Sequence, residues 1–161
     1  MNIIAARNED LDALEALYAA ARKRMAEAGN PTQWVGGYPD RELLRWDIRC
    51  KRLYVGTEDS VLVAAFCLQE GPEKTYEHID GAWLNSAPYA TVHRIATAGA
   101  RKGAGEVCFR WCLTRFENLR ADTHRDNLPM QGLLQKLGFA YCGVIRVEDG
   151  SERMAYQHAK A

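Results

Sequence analysis

The chain has 161 residues, 47% of them hydrophobic and 26% charged, with 21 basic and 21 acidic side chains and a formal net charge of zero. This length suits one domain that buries ~70% of its unfolded surface, and the charge balance argues against a generic nucleic-acid or anionic-membrane binder. No apolar run approaches the ~20 residues needed to cross a bilayer, and the first residues, MNIIAARNED, lack the apolar core of a signal peptide.

In chain order, residues 2–6 read as a short strand. Asn8 is a good helix N-cap, with Glu9 and Asp10 at the positive end of the helix that follows. Leu11, Leu14, Leu17, Tyr18, Ala21 and Met25 recur with helical spacing, and Gly29-Asn30-Pro31 stops the helix. Residues 30–39 form a glycine-rich loop carrying Trp34 and Tyr38, and Asp40 caps a second, shorter helix with Leu43, Leu44 and Ile48. Two strands, 52–56 and 61–69, flank the polar turn Thr57-Glu58-Asp59-Ser60. Residues 70–88 are irregular and rich in charge and aromatics.

Residues 89–105, YATVHRIATAGARKGAG, begin as a β-branched run (Thr91, Val92, Ile95, Thr97) that reads as a buried strand. The run breaks at small residues and restarts with helical spacing at Val107, Cys108, Trp111 and Cys112. A strand that turns into a helix start leaves backbone N–H groups unpaired and aimed at one spot, with the helix dipole adding positive potential. Gly103 and Gly105 allow close approach to the backbone, and Arg101 and Lys102 add two cations. The turn reads as a diphosphate site; a plain tight turn is the other reading of the same residues. It is neither a P-loop, since no Gly-Lys-Ser/Thr follows, nor a GxGxxG dinucleotide turn.

Further on, 118–124 reads as another buried strand. Asp126-Asn127 caps a helix with Pro129 in its first turn, an apolar face of Met130, Leu133, Leu134 and Leu137, and Gly138 as stop. A strand over 139–147 and an antiparallel return over 152–158 flank the hairpin signal Asp149-Gly150. With no repeat, linker or low-complexity segment, residues 1–161 form a single α/β domain. The five cysteines, Cys50, Cys67, Cys108, Cys112 and Cys142, lie in apolar patterns and read as reduced core residues of a cytoplasmic protein.

The turn Ala100-Arg101-Lys102-Gly103-Ala104-Gly105 resembles the pyrophosphate loop of the GNAT superfamily of N-acetyltransferases, Gln/Arg-x-x-Gly-x-Gly/Ala, with Ala100 departing at the first position. Asn127 to Phe139, NLPMQGLLQKLGF, resembles the second signature, Asn-x-x-Ala…Tyr-x-Lys-x-Gly-Phe; Met130 replaces the small residue and Leu134 the frequent tyrosine. The resemblance covers the whole chain. It implies a mixed, mostly antiparallel sheet, splayed between 92–97 and 118–124 and flanked by about four helices. Acetyl-CoA would lie in the splay, its pantetheine amides against Ile95 and Thr97. Its diphosphate would rest on Arg101, Lys102, Gly103, Ala104 and Gly105, and Asn127 would lie near its arm.

Transfer to an amine needs a base for the amine proton, donors for the developing oxyanion, and departure of a thiolate. His93, on the central strand, is either a hydrogen-bonded core histidine or that base, sharing a strand face with Ile95. His124, at the end of the neighbouring strand, has the same two readings, since an imidazole titrates near neutral pH. Trp34 and Tyr38 read either as a lid over one end of the core or as substrate contacts; with Trp83 and Asp80 they are candidates for a pocket that takes a cationic acceptor. Cys108 and Cys112, four apart on a helix, read as core rather than metal ligands, so no metal is expected. Tyr141 is a strand aromatic that lies nearest in sequence to the missing tyrosine. The resemblance thus implies an acetyl-CoA-dependent N-acetyltransferase acting on a small-molecule or peptide amine, with no nucleic-acid or membrane partner and with a homodimer left open. Two readings compete with it: a non-catalytic acyl-CoA-binding or regulatory protein of the same fold, and an unrelated nucleotide-binding module. The acceptor is not legible.

Overall fold

The computed structural model describes residues 1–160, which form one eight-stranded sheet with helices on both faces. β1 (Asn2–Ala5) is followed by α1 (Leu11–Glu27) and α2 (Arg41–Arg49), then by the hairpin of β2 (Leu53–Glu58) and β3 (Val61–Glu70). A long connection, containing the short β4 (Asp80–Gly81), reaches the central β5 (Ala90–Thr97). α3 (Ala104–Leu113), β6 (Asn118–Thr123), α4 (Leu128–Lys136), β7 (Ala140–Arg146) and β8 (Glu152–Ala159) complete the chain. The strand order is β1-β2-β3-β5-β6-β8-β7-β4, antiparallel throughout except for the β5–β6 pair. The mixed, mostly antiparallel sheet with four helices is therefore as the sequence implies.

Alternation along β3 divides the core in two. Ala64, Phe66 and Leu68 pack with Cys108, Phe109 and Cys112 of α3 and Leu134 of α4, whereas Ala65 faces Leu14, Leu17 and Tyr18 of α1. A strand's period of two sends successive side chains to opposite faces, and the helical stripes of α1 and α3 each cover one of them.

Two features of β5 create the cleft. First, β5 and β6 are registered only at Ala90–Leu119 and Thr91–Arg120. Beyond that point β6 follows β8 as far as Thr123, while β5 stays on β3 as far as Thr97, and the strands part. Second, one extra residue in β5 breaks its register with β3, and Arg94 there takes φ +49°. The bulge flips the side-chain parity: Val92 and Ile95 join the α3 side and Ala96 the α1 side. His93 and Ile95 consequently do not share a face, contrary to the expectation for a regular strand. A left-handed non-glycine residue costs on the order of 1–3 kcal/mol. The buried Tyr18 hydroxyl, which donates to the Arg94 carbonyl at 2.6 Å, helps to hold it there.

Three local expectations are corrected. Asn8 does not cap α1: residues Asn8–Asp10 form a 3-10 turn, and it is the Asp10 carboxylate that accepts from the Arg7 N–H at 2.7 Å. The β2–β3 turn is tighter than expected, because pairing persists to Glu58–Val61 and leaves Asp59 and Ser60, both at positive φ, as its tip. Cys50 is exposed just past α2, so only four of the five cysteines are buried.

Candidate active site

The parting of β5 and β6 opens a cavity of about 610 Å³, roofed by the 30–39 loop and by the end of the β7–β8 hairpin. His93 lines it from β5. Its Nε2 lies 3.1 Å from Oε2 of Glu73, which the connection after β3 carries into the same cavity. The Glu73 N–H donates to the Tyr89 hydroxyl at 2.8 Å, which fixes that connection, and Gln69 donates to Glu73 Oε2 at 3.2 Å. The His93 hydrogen bond, working against burial, holds Glu73 below the usual carboxylate value. An ionised Glu73 can only accept a hydrogen bond, so Nε2 carries the proton and, in the neutral ring, Nδ1 keeps the free lone pair. No residue among those described hydrogen-bonds to that Nδ1.

Gln69 continues the network. Its amide oxygen accepts from Arg52 at 2.8 Å, and Arg52 donates to Asp47 at 2.8 Å. Asp47, fully buried on α2, also receives Nε and a terminal nitrogen of Arg94 at 3.0 and 2.9 Å. One carboxylate thus anchors two guanidiniums and the bulge of β5. Across the cleft, the Tyr76 hydroxyl donates to Asp122 of β6 at 2.6 Å, and the Tyr76 ring centroid is 6.2 Å from that of His93. Burial, then the charge of Asp122, pushes the Tyr76 hydroxyl well above its ordinary value, so it keeps its proton.

The other sequence candidates separate. His124 does not line the cavity: its Nδ1 accepts from the Asp126 N–H at 3.1 Å and its Nε2 is 3.1 Å from the Thr32 hydroxyl. Burial, then the positive charge of Arg153, lowers its pKa. Trp34 and Tyr38 do line the cavity, with Trp34 also edge-on to Tyr18 at 5.7 Å. Asp80 and Trp83 are not brought there. Asp80 is exposed in β4 opposite Val144, and Trp83 already holds a cation of its own chain, the Arg120 guanidinium, 4.0 Å from its ring. Glu73 and Asp47 were missed because no spacing marks them; for Glu73, a carboxylate in a long, irregular connection was the available signal, and for Asp47, on α2, there was none.

At the other end of β5, Gly103 adopts φ +77° at the N-cap of α3, and a Cβ there would meet nothing within 4 Å. Gly105 differs: its Cβ would lie 3.3 Å from Leu133, so this glycine serves the packing of α3 against α4. Arg101 is ion-paired with Glu58, which also holds the N-terminal amine at 3.3 Å; Lys102 is exposed. The Thr97 and Ala98 carbonyls accept from Arg24 of α1. Asn127 caps α4 through the Met130 N–H at 3.3 Å and donates to Gln33 of the roof loop at 3.0 Å. Thr123, fully buried on the cleft wall, has a hydroxyl without a partner. An open strand edge, an orphaned hydroxyl and an uncovered helix start suit a long polar chain ending in an anion.

Among the described residues no helix is long and apolar enough to cross a membrane. No family model matches the sequence, and no curated protein is significantly similar to it. Solved structures are similar. An acetyltransferase of the GNAT family from Streptococcus agalactiae 2603 is 32% identical with TM-score 0.91, over 99% of this chain and 95% of that one. The ribosomal-protein-alanine N-acetyltransferase of Brucella melitensis has TM-score 0.61 at 17% identity, over 99% of this chain and 100% of its own. GphF, a GNAT-like decarboxylase in complex with isobutyryl-CoA, has TM-score 0.67 at 16% identity, over 99% of both chains. At such identities the last two speak for the fold alone.

Proposed function

The chain belongs to the GNAT family of acetyltransferases, and from that premise we propose that it moves an acetyl group from acetyl-CoA directly to the amine of a small molecule or peptide. The observation that carries the assignment of a base is the 3.1 Å contact between His93 and Glu73, which leaves Nδ1 of a cavity-lining imidazole without a partner. His124, engaged at both ring nitrogens outside the cavity, is set aside.

Acetyl-CoA supplies a thioester carbonyl activated toward nitrogen. Its arm would run along the open edge of β5 past Ile95 and Thr97, near Asn127, with the diphosphate over 101–105. The uncovered N-terminus of α3 and the exposed Lys102 support that placement. The amine, entering under Trp34 and Tyr38, gives its proton to His93 Nδ1 directly or through a water. Glu73 stabilises the imidazolium that results, as a carboxylate does behind any histidine base. As nitrogen bonds to the acyl carbon and the carbon–sulfur bond breaks, backbone N–H groups freed at the splay are available to the carbonyl oxygen. The leaving thiolate then takes a proton.

The test is thiol release from acetyl-CoA against an amine panel, with wild type and His93→Gln side by side. Turnover that collapses in the variant is expected. Tight acetyl-CoA binding with no turnover of any amine would replace this reading with that of a non-catalytic acyl-CoA-binding protein, and a family fold that also serves a decarboxylase makes that control necessary.

A further inference from the structure

Three arginines line the cavity, and their surroundings differ. Arg52 and Arg94 share the buried carboxylate of Asp47. Arg153, on β8, is only 8% exposed, and its recorded hydrogen bonds are to two backbone carbonyls, Glu152 at 2.9 Å and Gln33 at 3.2 Å. No carboxylate lies within ion-pair distance of it among the described residues. Glu148 and Asp149 line the same cavity on the hairpin, but Asp149 is turned to its own loop, accepting from the Ser151 N–H at 2.8 Å. A guanidinium has five N–H donors in a planar fork, so donors remain for something entering the cavity. The hydrogen bonds from Ser151 chiefly lower the Asp149 pKa and the charge of Arg153 adds to them, but Asp149 does not touch Arg153. A nearly buried cation with no carboxylate in direct contact is costly unless an anion joins it. Its field reaches its neighbours, since it helps to depress His124.

The sheet places this cation relative to the base. Arg153 alternates with Ala155 on one face of β8, and Ala155 is registered with Asp122 of β6, so Arg153 and Asp122 point to the same side. That side also carries Tyr76, which touches Asp122 and neighbours His93. One cavity therefore has a proton-accepting wall, His93 with Glu73, and a cationic wall, Arg153. We infer that the acceptor is an amine that also bears a carboxylate, an amino acid or the free C-terminus of a short peptide, with Arg153 gripping the carboxylate in a bidentate pair. The inference rests on the reading above for which end of the acceptor reacts.

The experiment uses matched probes with acetyl-CoA: the common α-amino acids against their carboxamides, and dipeptides with free against amidated C-termini. The wild type should prefer the acid of a pair by at least tenfold in kcat/KM. An amide's amine is less basic and loses its proton more readily, so amine basicity alone would give the opposite order. Arg153→Gln should bring the acid-to-amide ratio close to one, and Arg153→Lys should restore part of it. A ratio taken on one preparation is insensitive to a fraction of misfolded protein. Preference among amino acids or among dipeptides reports the spacing of amine and carboxylate. A wild-type ratio near one, or a ratio unchanged in Arg153→Gln, overturns the inference. If no amine is acetylated, the transferase reading fails by itself, and calorimetric binding of the same pairs in the presence of CoA still decides the carboxylate site. Acid bound over amide, with loss in Arg153→Gln, upholds it; equal binding overturns it.

Discussion

His93 Nε2 and Glu73 Oε2 meet at 3.1 Å across twenty positions of sequence. The strand contributes the imidazole, and the irregular connection after β3 contributes the carboxylate that fixes its tautomer. Removing a general base typically costs 10²–10⁴-fold. His93→Gln should therefore lower kcat/KM by about a hundredfold or more, with acetyl-CoA affinity unchanged. Glu73→Gln, which keeps the shape and loses the charge, should cost less, about tenfold. Steady-state kinetics with calorimetry checks both; a His93→Gln enzyme within a factor of two of wild type removes the imidazole from the mechanism.

The same pair links stability to pH. Glu73 is held below the ordinary carboxylate value, chiefly by His93. A depressed acid binds its proton less readily folded than unfolded. Its contribution is therefore complete above the unfolded value of about 4.3 and is lost as pH falls through the lower folded value. The stability gap between wild type and Glu73→Gln, read from urea denaturation, should narrow as pH falls from about 7 to about 3.5. A gap of constant size would show that ionisation of Glu73 adds nothing to stability beyond its neutral isostere.

How much of this was legible beforehand follows from what kind of signal each feature leaves. The elements came from periodicity: Leu14, Leu17 and Tyr18 repeat as a helix and are all buried. The cleft was legible only through the family that two motifs resemble, since nothing in the strands' own pattern says that they part. The bulge left no sign, because Arg94 is not a residue type that announces positive φ, and so the face of Ile95 was misjudged. Trp83 was misread for a related reason: the sequence shows an aromatic but not Arg120, thirty-seven positions on, stacked over it. The Glu73 and Arg153 walls, and the Asp47 anchor behind them, are tertiary products of loop path, strand register and helix packing.

Asp47 is the anchor most sensitive to change. It is wholly buried and holds Arg52 and Arg94. Breaking a buried pair by removing one partner costs about 3–5 kcal/mol, since the other charge is left behind. Asp47→Asn should destabilise by about that amount, seen in denaturant unfolding, and should loosen the bulge that positions His93. A loss below about 1 kcal/mol would mean that water replaces the carboxylate without penalty.

Gly103 separates conformation from contact. Its φ of +77° disfavours any L side chain, yet a Cβ there has open space. Gly103→Ala should cost about 1 kcal/mol of stability through backbone strain alone. Gly103→Glu should in addition weaken acetyl-CoA binding more than tenfold, by placing a like charge where the diphosphate is proposed to sit. Equal affinity of the two variants in calorimetric titration would move the diphosphate elsewhere.

The absent acid gives the last prediction. Leu134 occupies the position where the family signature often has tyrosine, and it is fully buried in the core cluster that also holds Phe109 and Phe139, not among the residues that line the cavity. Restoring the family residue should therefore not restore an acid. Leu134→Tyr would force a larger side chain and a hydroxyl into a packed core, costing about 1–3 kcal/mol from overpacking, without raising kcat. Tyr141 is no substitute: it is 53% exposed, meets Tyr156 edge-on at 5.7 Å, and is not part of the cavity wall. Tyr141→Phe should change kcat by less than twofold. A thiol of ordinary pKa, about 8.5, leaves as a tolerable thiolate near neutrality, so water can supply the final proton. Solvent-isotope and pH-rate measurements on Leu134→Tyr and Tyr141→Phe check this. A hundredfold loss in Tyr141→Phe with acetyl-CoA binding intact would make that phenol the acid, and a rate gain in Leu134→Tyr would show that α4 admits a side chain to the leaving sulfur.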